Sequence, residues 1–267
     1  MKFLKQLLGI SEQKDASPSI YGATHAGRER DNNEDCFMIR TDKNLFIAAD
    51  GMGGHNAGEV ASLKATEVID AHFTEELLSQ LRGDDEKIAD EMTKSLLNAN
   101  EKIVEMAESN RQYRGMGCTI VVALIDGDLL HLCHVGDARA YLSNDAGINL
   151  LTTDHSTVME LVKAGKMTLA EARTSPLKNE LSQAIGSLVG LAPDYCRRTL
   201  RDGDKVLLCT DGLWDMLTDE EIYEILHQEL PVKTIGQKLI KTANSLGGHD
   251  NITVVVIEHK LHRESSQ

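Results

Sequence analysis

The chain has 267 residues, 41% hydrophobic and 26% charged, with 42 acids against 28 lysines and arginines and a formal net charge of −14. That length suits one large domain or two small ones and buries a sizeable core. The sign of the charge excludes a nucleic-acid backbone as partner, since phosphate binding of that kind needs a cationic footprint.

Residues 1–10, apolar with Lys2 and Lys5, are too short to cross a bilayer and precede no cleavage pattern. They read as an N-terminal extension, flexible or packed, with an interfacial or partner-docking helix as the alternative. Residues 11–19 read as a linker, so a folded body is expected over 20–260 and a tail over 261–267. Within the body, the apolar runs 37–39 and 45–49 flank Thr41, Asp42, Lys43 and Asn44 as a β-hairpin. Two helices follow. One carries Val60, Leu63, Ala65, Val68, Ile69 and Phe73; the other runs from Asp84 to Asn110 with Ile88, Met92, Leu96 and Ile103 on one side.

From Thr119 the period becomes that of strands. Asp126-Gly127-Asp128 joins strands 119–125 and 129–135 as a hairpin, and residues 140–143 and 148–151 form another. The polar stretch 154–182 reads as an insertion at a sheet edge, with short helices at 157–165 and 168–173. Residues 205–210 are a strand, and Thr218 with Glu221 is a capping box opening a helix to Glu229. Pro231 opens the next helix, which ends before Gly247-Gly248, and 252–258 is the last strand. Hairpin-linked strands with helices in separate blocks give an α+β fold of antiparallel sheets. No Gly-x-Gly-x-x-Gly or Walker loop is present.

The five cysteines, Cys36, Cys118, Cys133, Cys196 and Cys209, form no close pair. Scattered thiols of odd number fit a reducing compartment, here read as the cytoplasm, and speak against a disulfide scaffold or thiolate zinc. The chemistry lies with the acids. Asp50, Asp137, Asp211 and Asp250 each sit beside an apolar run, three of them next to glycine. Carboxylates delivered together to the rim of a core repel one another and take up protons. A multivalent cation keeps such a cluster ionised, and oxygen-only ligands favour Mg²⁺ or Mn²⁺ over zinc or copper. Ahead of strand 37–39 lie Arg30, Asp31, Asn32, Asn33, Glu34 and Asp35. A guanidinium beside divalent cations suits a phosphate-bearing substrate, which arginine grips through two parallel hydrogen bonds.

These pieces, in their order, resemble the metal-dependent serine/threonine protein phosphatases of type 2C in their bacterial form. The resemblance runs from Ile20 to Glu258 and rests on seven stretches: 30–35, 49–55, 115–119, 135–139, 151–156, 209–215 and 250–253. It implies a four-layer α/β/β/α sandwich of two antiparallel sheets flanked by helices. It also implies hydrolysis of protein phosphoserine and phosphothreonine by a water bridging two cations, Mn²⁺ or Mg²⁺, with a third possible. Asp50 matches the bridging carboxylate and a catalytic residue. Gly51 matches a carbonyl ligand, Asp211 and Asp250 match ligands of the other ion, and Glu34 matches an acid holding metal-bound water. Asp137 matches a third-ion ligand shared with Asp211, Arg30 matches the phosphate-binding arginine, and 154–182 matches a mobile flap. Phosphorylated proteins, substrates of a bacterial serine/threonine kinase, are the implied partners of a monomer.

Some positions depart from that pattern or carry a second reading. Met52 stands where some members have a proton-donating histidine, and His55 is the substitute weighed for it. Cys118 and Ala138 replace common threonine and serine and adjust packing. Asp35, Asp215, His55 and Asn251 are candidates for a supporting role behind the ligands. Asp126, Asp145 and Asp154 read as turn formers, and Trp214 as core. The alternatives are a phosphoprotein-binding pseudophosphatase and a small-molecule phosphomonoesterase on the same fold.

Overall fold

The central strands of this chain are apolar on both faces, and their placement explains it. The computed structural model describes residues 19–53 and 57–261. One antiparallel sheet has the order β1-β10-β9-β6-β7, from Ser19–His25, Ile252–Glu258, Lys205–Cys209, Arg139–Asn144 and Gly147–Leu150. The other has the order β2-β3-β4-β5-β8, from Cys36–Arg40, Leu45–Met52, Gly117–Asp126, Leu129–Val135 and Asp194–Thr199. The sheets pack face to face through Phe46, Ala48, Val121, Ala123, Leu208, Val255 and Ile257, all buried. The alternate residues of the same strands point outward, where helices cover them. Both faces are therefore buried, and a half-polar alternation is absent.

Helices α1 (Ala57–His72) and α3 (Asp85–Ser109) cover the second sheet. The stripe Ala57, Ala61, Ala65, Ile69 of α1 meets Leu45, Ile47 and Ala49, while α3 supplies Ile88, Met92, Leu96 and Ile103. Between them lies α2 (Glu75–Leu81), capped by Thr74. The insertion 154–182 holds α4 (Thr157–Lys163) and α5 (Leu169–Thr174); α6 (Asp211–Trp214) is a single turn. Helices α7 (Asp219–Leu226) and α8 (Val232–Ser245) cover the first sheet through Ile222, Leu226, Ile235 and Leu239. The four-layer α+β sandwich expected from the sequence is what forms.

The hairpins, the capping box of Thr218 and Glu221, and the helix opened by Pro231 also form as expected. The helix expected to reach Glu229 stops at Leu226, where His227 caps it with its amide bonded back to the Tyr223 carbonyl. The elements not foreseen are β1, the single turn α6, the short 3-10 turn Arg111–Tyr113, strand β8 and helix α2. Strand β8 carries Arg197 and Arg198 and is mostly exposed, the charged habit of an edge strand, which erases the apolar signal. Helix α2 spans only seven residues, too few to show a period. The extension 1–10, nearly all of the linker, the tail after Leu261 and His55 lie outside the described residues. Among the described residues no helix is long and apolar enough to cross a membrane.

Candidate active site

Antiparallel pairing places the end of one strand beside the start of the next, and that delivers the acids to one rim. Asp50 ends the buried run of β3 and lies opposite Thr119 in β4. Asp137 follows β5, Asp211 follows β9, and Asp250 precedes β10. The loop before β2 adds Arg30 and Glu34. Together with Gly51, Asn179 and Asn251 they line a pocket of about 670 Å³. Of the residues singled out in the sequence, the structure brings Arg30, Glu34, Asp50, Gly51, Asp137, Asp211, Asp250 and Asn251 to this pocket.

Glycines at two places allow the acids to come so close. A Cβ on Gly51 would lie 2.2 Å from the Gly58 carbonyl oxygen and 2.4 Å from that of Glu34. A Cβ on Gly212 would lie 2.0 Å from the carbonyl oxygen of Asn251. The loop 30–34 is held by Asn251, whose Oδ1 accepts from the Glu34 amide at 2.8 Å. Its Nδ2 donates to the carbonyls of Ala26 at 3.0 Å and Asn32 at 2.9 Å. Asn251 thus clamps the loop that carries Arg30 and Glu34. Asn32 Nδ2 in turn donates to Glu34 Oε1 at 2.9 Å, and Arg30 Nη2 donates to Asp250 Oδ2 at 2.6 Å.

The electrostatics are those of an uncompensated acid cluster. Burial, then repulsion from Asp35, Asp211 and Asp137, holds the Asp50 carboxyl well above the usual range. Burial pushes Asp137 the same way, with the charge of Asp211 adding to it. Burial and the charge of Asp250 raise Asp211 to about 6. Asp35, one layer deeper, is raised to about 7 by burial, although the Thr210 hydroxyl donates to its Oδ2 at 2.8 Å. The other oxygen of Asp35, one oxygen of Asp211 and the Thr119 hydroxyl are buried without any hydrogen-bond partner. A buried polar atom left unmade costs about 1–3 kcal/mol. Orphaned oxygens, mutual repulsion and an all-oxygen donor set together fit hard divalent cations.

One expectation about the acids is corrected. Asp154 is no turn former. It is buried and takes a bidentate grip from Arg139, 2.9 Å from Nε and 2.6 Å from Nη2, while Arg139 stacks over Trp214 at 3.8 Å. Asp154→Ala is therefore expected to cost about 3–5 kcal/mol, because it strands a buried guanidinium; a urea melt of the metal-free protein checks it. Asp215, a candidate for a supporting role, lies outside the lining of the acid pocket. It accepts from Lys178 Nζ at 2.6 and 2.7 Å and so ties the 154–182 segment to the body, and its charge acts on Asp211.

Trp214 is core, as expected, and its Nε1 also donates to the Asp137 carbonyl at 3.1 Å. The Cys118 thiol is buried and driven upward by burial, which leaves it inert. Thr119 and Asn179 are pocket residues that the sequence reading missed; a lone threonine in a strand and an asparagine in a polar insertion carry no signal. A trio of His134, His155 and Asp194 lies outside the acid pocket. Its ring nitrogens already meet Thr153, Gly136 and Asp194, so ordinary hydrogen bonds account for it.

Comparison with known proteins gives a consistent picture. A family model described as "Protein phosphatase 2C" matches residues 21–247. "Protein phosphatase PhpP" of Streptococcus pneumoniae is 35% identical over 238 residues, covering 88% of this chain and 94% of that protein. The structure of the serine/threonine phosphatase of S. agalactiae superposes with a TM-score of 0.83 at 38% identity, covering 90% of this chain and 98% of that one. The catalytic domain of the serine/threonine protein phosphatase PstP, solved in complex with two manganese ions, superposes with a TM-score of 0.78 at 34% identity, covering 90% and 97%.

Proposed function

This chain belongs to the protein phosphatase 2C family, is a protein serine/threonine phosphatase, and uses Mn²⁺ or Mg²⁺; from that premise we propose how its residues divide the work. Asp50, the Gly51 carbonyl, Asp211 and Asp250 hold two divalent cations, Glu34 orders water beside them, and Asp137 with Asp211 serves a third. The observation that carries this is the pair of features at Asp211: a carboxyl raised by burial and repulsion, with one oxygen lacking any partner. Bound there, the cations would activate a water and neutralise phosphoryl oxygens.

The remaining roles fall to side chains. Arg30 sits at the pocket mouth, half exposed, where its planar fork can present two N–H groups to the phosphoryl oxygens. Asn251 keeps that loop in place. The described lining holds no cysteine or histidine, which favours direct displacement by water over a thiol or imidazole phosphoenzyme. Met52 lines the pocket and can donate no proton; a water among the acids, with His55 as the alternative, serves the departing alkoxide. Asn179 and Leu181 of the flap add to the pocket wall. There the chain closes on itself through the Ser156–Leu181 bridge and a bond from the Ser182 amide to the His155 carbonyl at 2.9 Å.

The catalytic domain is assigned to residues 20–260. Its partners are phosphoproteins made by a bacterial serine/threonine kinase, and it works as a cytoplasmic monomer. With Mn²⁺, phosphoserine and phosphothreonine peptides are expected to be hydrolysed at least tenfold more efficiently (kcat/KM) than nucleotides or sugar phosphates, a difference on the order of 1.4 kcal/mol. Equal or better turnover of the small phosphates would contradict the assignment to proteins.

A further inference from the structure

A second cavity, of about 200 Å³, lies between the flap and the body. We propose that it is a substrate subsite taking one apolar side chain, two to four residues away from the phosphorylated serine or threonine; the proposal rests on the phosphatase reading above. Its walls are Leu150, Val158, Met159, Leu169, Ala172 and Trp214. The polar groups around it are already engaged: Arg139 by Asp154, Lys178 by Asp215, and Asp219 by the Tyr141 hydroxyl. An occupant therefore finds apolar surface and few unpaired partners. The volume falls below the roughly 300–1,000 Å³ of small-molecule sites, which favours a single side chain. Leu169 is 66% exposed and Leu150 39% exposed at the rim, as expected of walls awaiting a cover.

Continuity with the acid pocket identifies whose side chain it is. Asp211 lines the acid pocket and Asp215 lines the cavity. They are four residues apart along helical backbone, a separation of about 6 Å. Asp137 and Arg139 make the same crossing in two residues, at most about 7 Å of chain. A peptide with its phosphate on the acids thus reaches the cavity within two to four extended residues. The floor also connects the two, since Trp214 lies under Arg139 and donates to the Asp137 carbonyl.

The test uses the full chain with Mn²⁺ and a set of phosphoserine peptides. Leucine or serine is placed at each of the second, third and fourth positions on either side of the phosphoserine. The wild type is expected to favour leucine at one of these positions by about tenfold in kcat/KM. Leu169→Asp and Met159→Gln are expected to abolish that preference. Both replace rim or wall residues, and an acid in the first turn of capped α5 is no folding burden. Turnover of p-nitrophenyl phosphate, too short to reach the cavity, stays unchanged in both variants, as does the melting temperature. No preference at any position in the wild type overturns the subsite, and so does a preference that survives both substitutions. Loss of p-nitrophenyl phosphate turnover in the variants overturns it as well, because the cavity would then belong to the catalytic machinery. A wild type inert towards p-nitrophenyl phosphate overturns the catalytic reading and the subsite with it.

Discussion

Asp50→Asn and Asp211→Asn should each lower Mn²⁺-dependent turnover of p-nitrophenyl phosphate by on the order of 10³-fold or more, the scale of losing a charge-stabilising group in a catalytic centre. Both positions sit at the acid rim, where each carboxylate is held against its neighbours at a cost. The amide keeps the shape and removes the charge. The metal-free variants should consequently melt at or above the wild-type temperature at pH 8. Lost activity combined with unchanged or higher metal-free stability is the signature of a ligand, whereas a structural aspartate would lose both. Retained turnover in the two variants would remove these residues from the site.

Metal-free protein should lose stability as pH rises from 5 to 8, and Mn²⁺ should restore it most at the upper end. Asp35 and Asp211, raised to about 7 and about 6, and Asp50 and Asp137, also raised, bind protons in the folded state that the unfolded chain has released. Folded pKa values above the unfolded value of about 3.9 give stability that is complete below that value. It is lost as pH climbs through the folded ones. The cations require the ionised form, so protons compete with them at pH 5. At a hundredfold excess over Kd, binding contributes about 2.7 kcal/mol, or about 5–10 °C in Tm for a chain of this size. Thermal melts at pH 5 and pH 8 with EDTA or Mn²⁺ measure both slopes. A metal-free Tm that rises between these pH values would contradict the buried acid cluster.

Much of this arrangement was legible in the residues themselves. Asp50, Asp211 and Asp250 declare themselves because each lies at or just beyond the end of a strand too apolar to tolerate it elsewhere than at a rim. The hairpins at Asp126-Gly127-Asp128 and Asn144–Gly147 and the cap at Thr218 are local, and local chemistry decides them. What stayed hidden depends on contacts between distant segments. Asp154 looks like a turn residue until Arg139, fifteen positions away, is seen to grip it. Asp215 sits four residues beyond Asp211, yet the turn of α6 sends it to Lys178 in the flap. Thr119 matters only because register sets it opposite Asp50, and β8 hides because edge strands avoid apolar alternation.

A crystal soaked in Mn²⁺ and measured at the manganese absorption edge tests the central claim most directly. Two strong anomalous peaks should appear, one shared by Asp50 and the Gly51 carbonyl and one bounded by Asp50, Asp211 and Asp250. An empty acid pocket, or peaks confined to other sites such as His134, His155 and Asp194, would contradict the account.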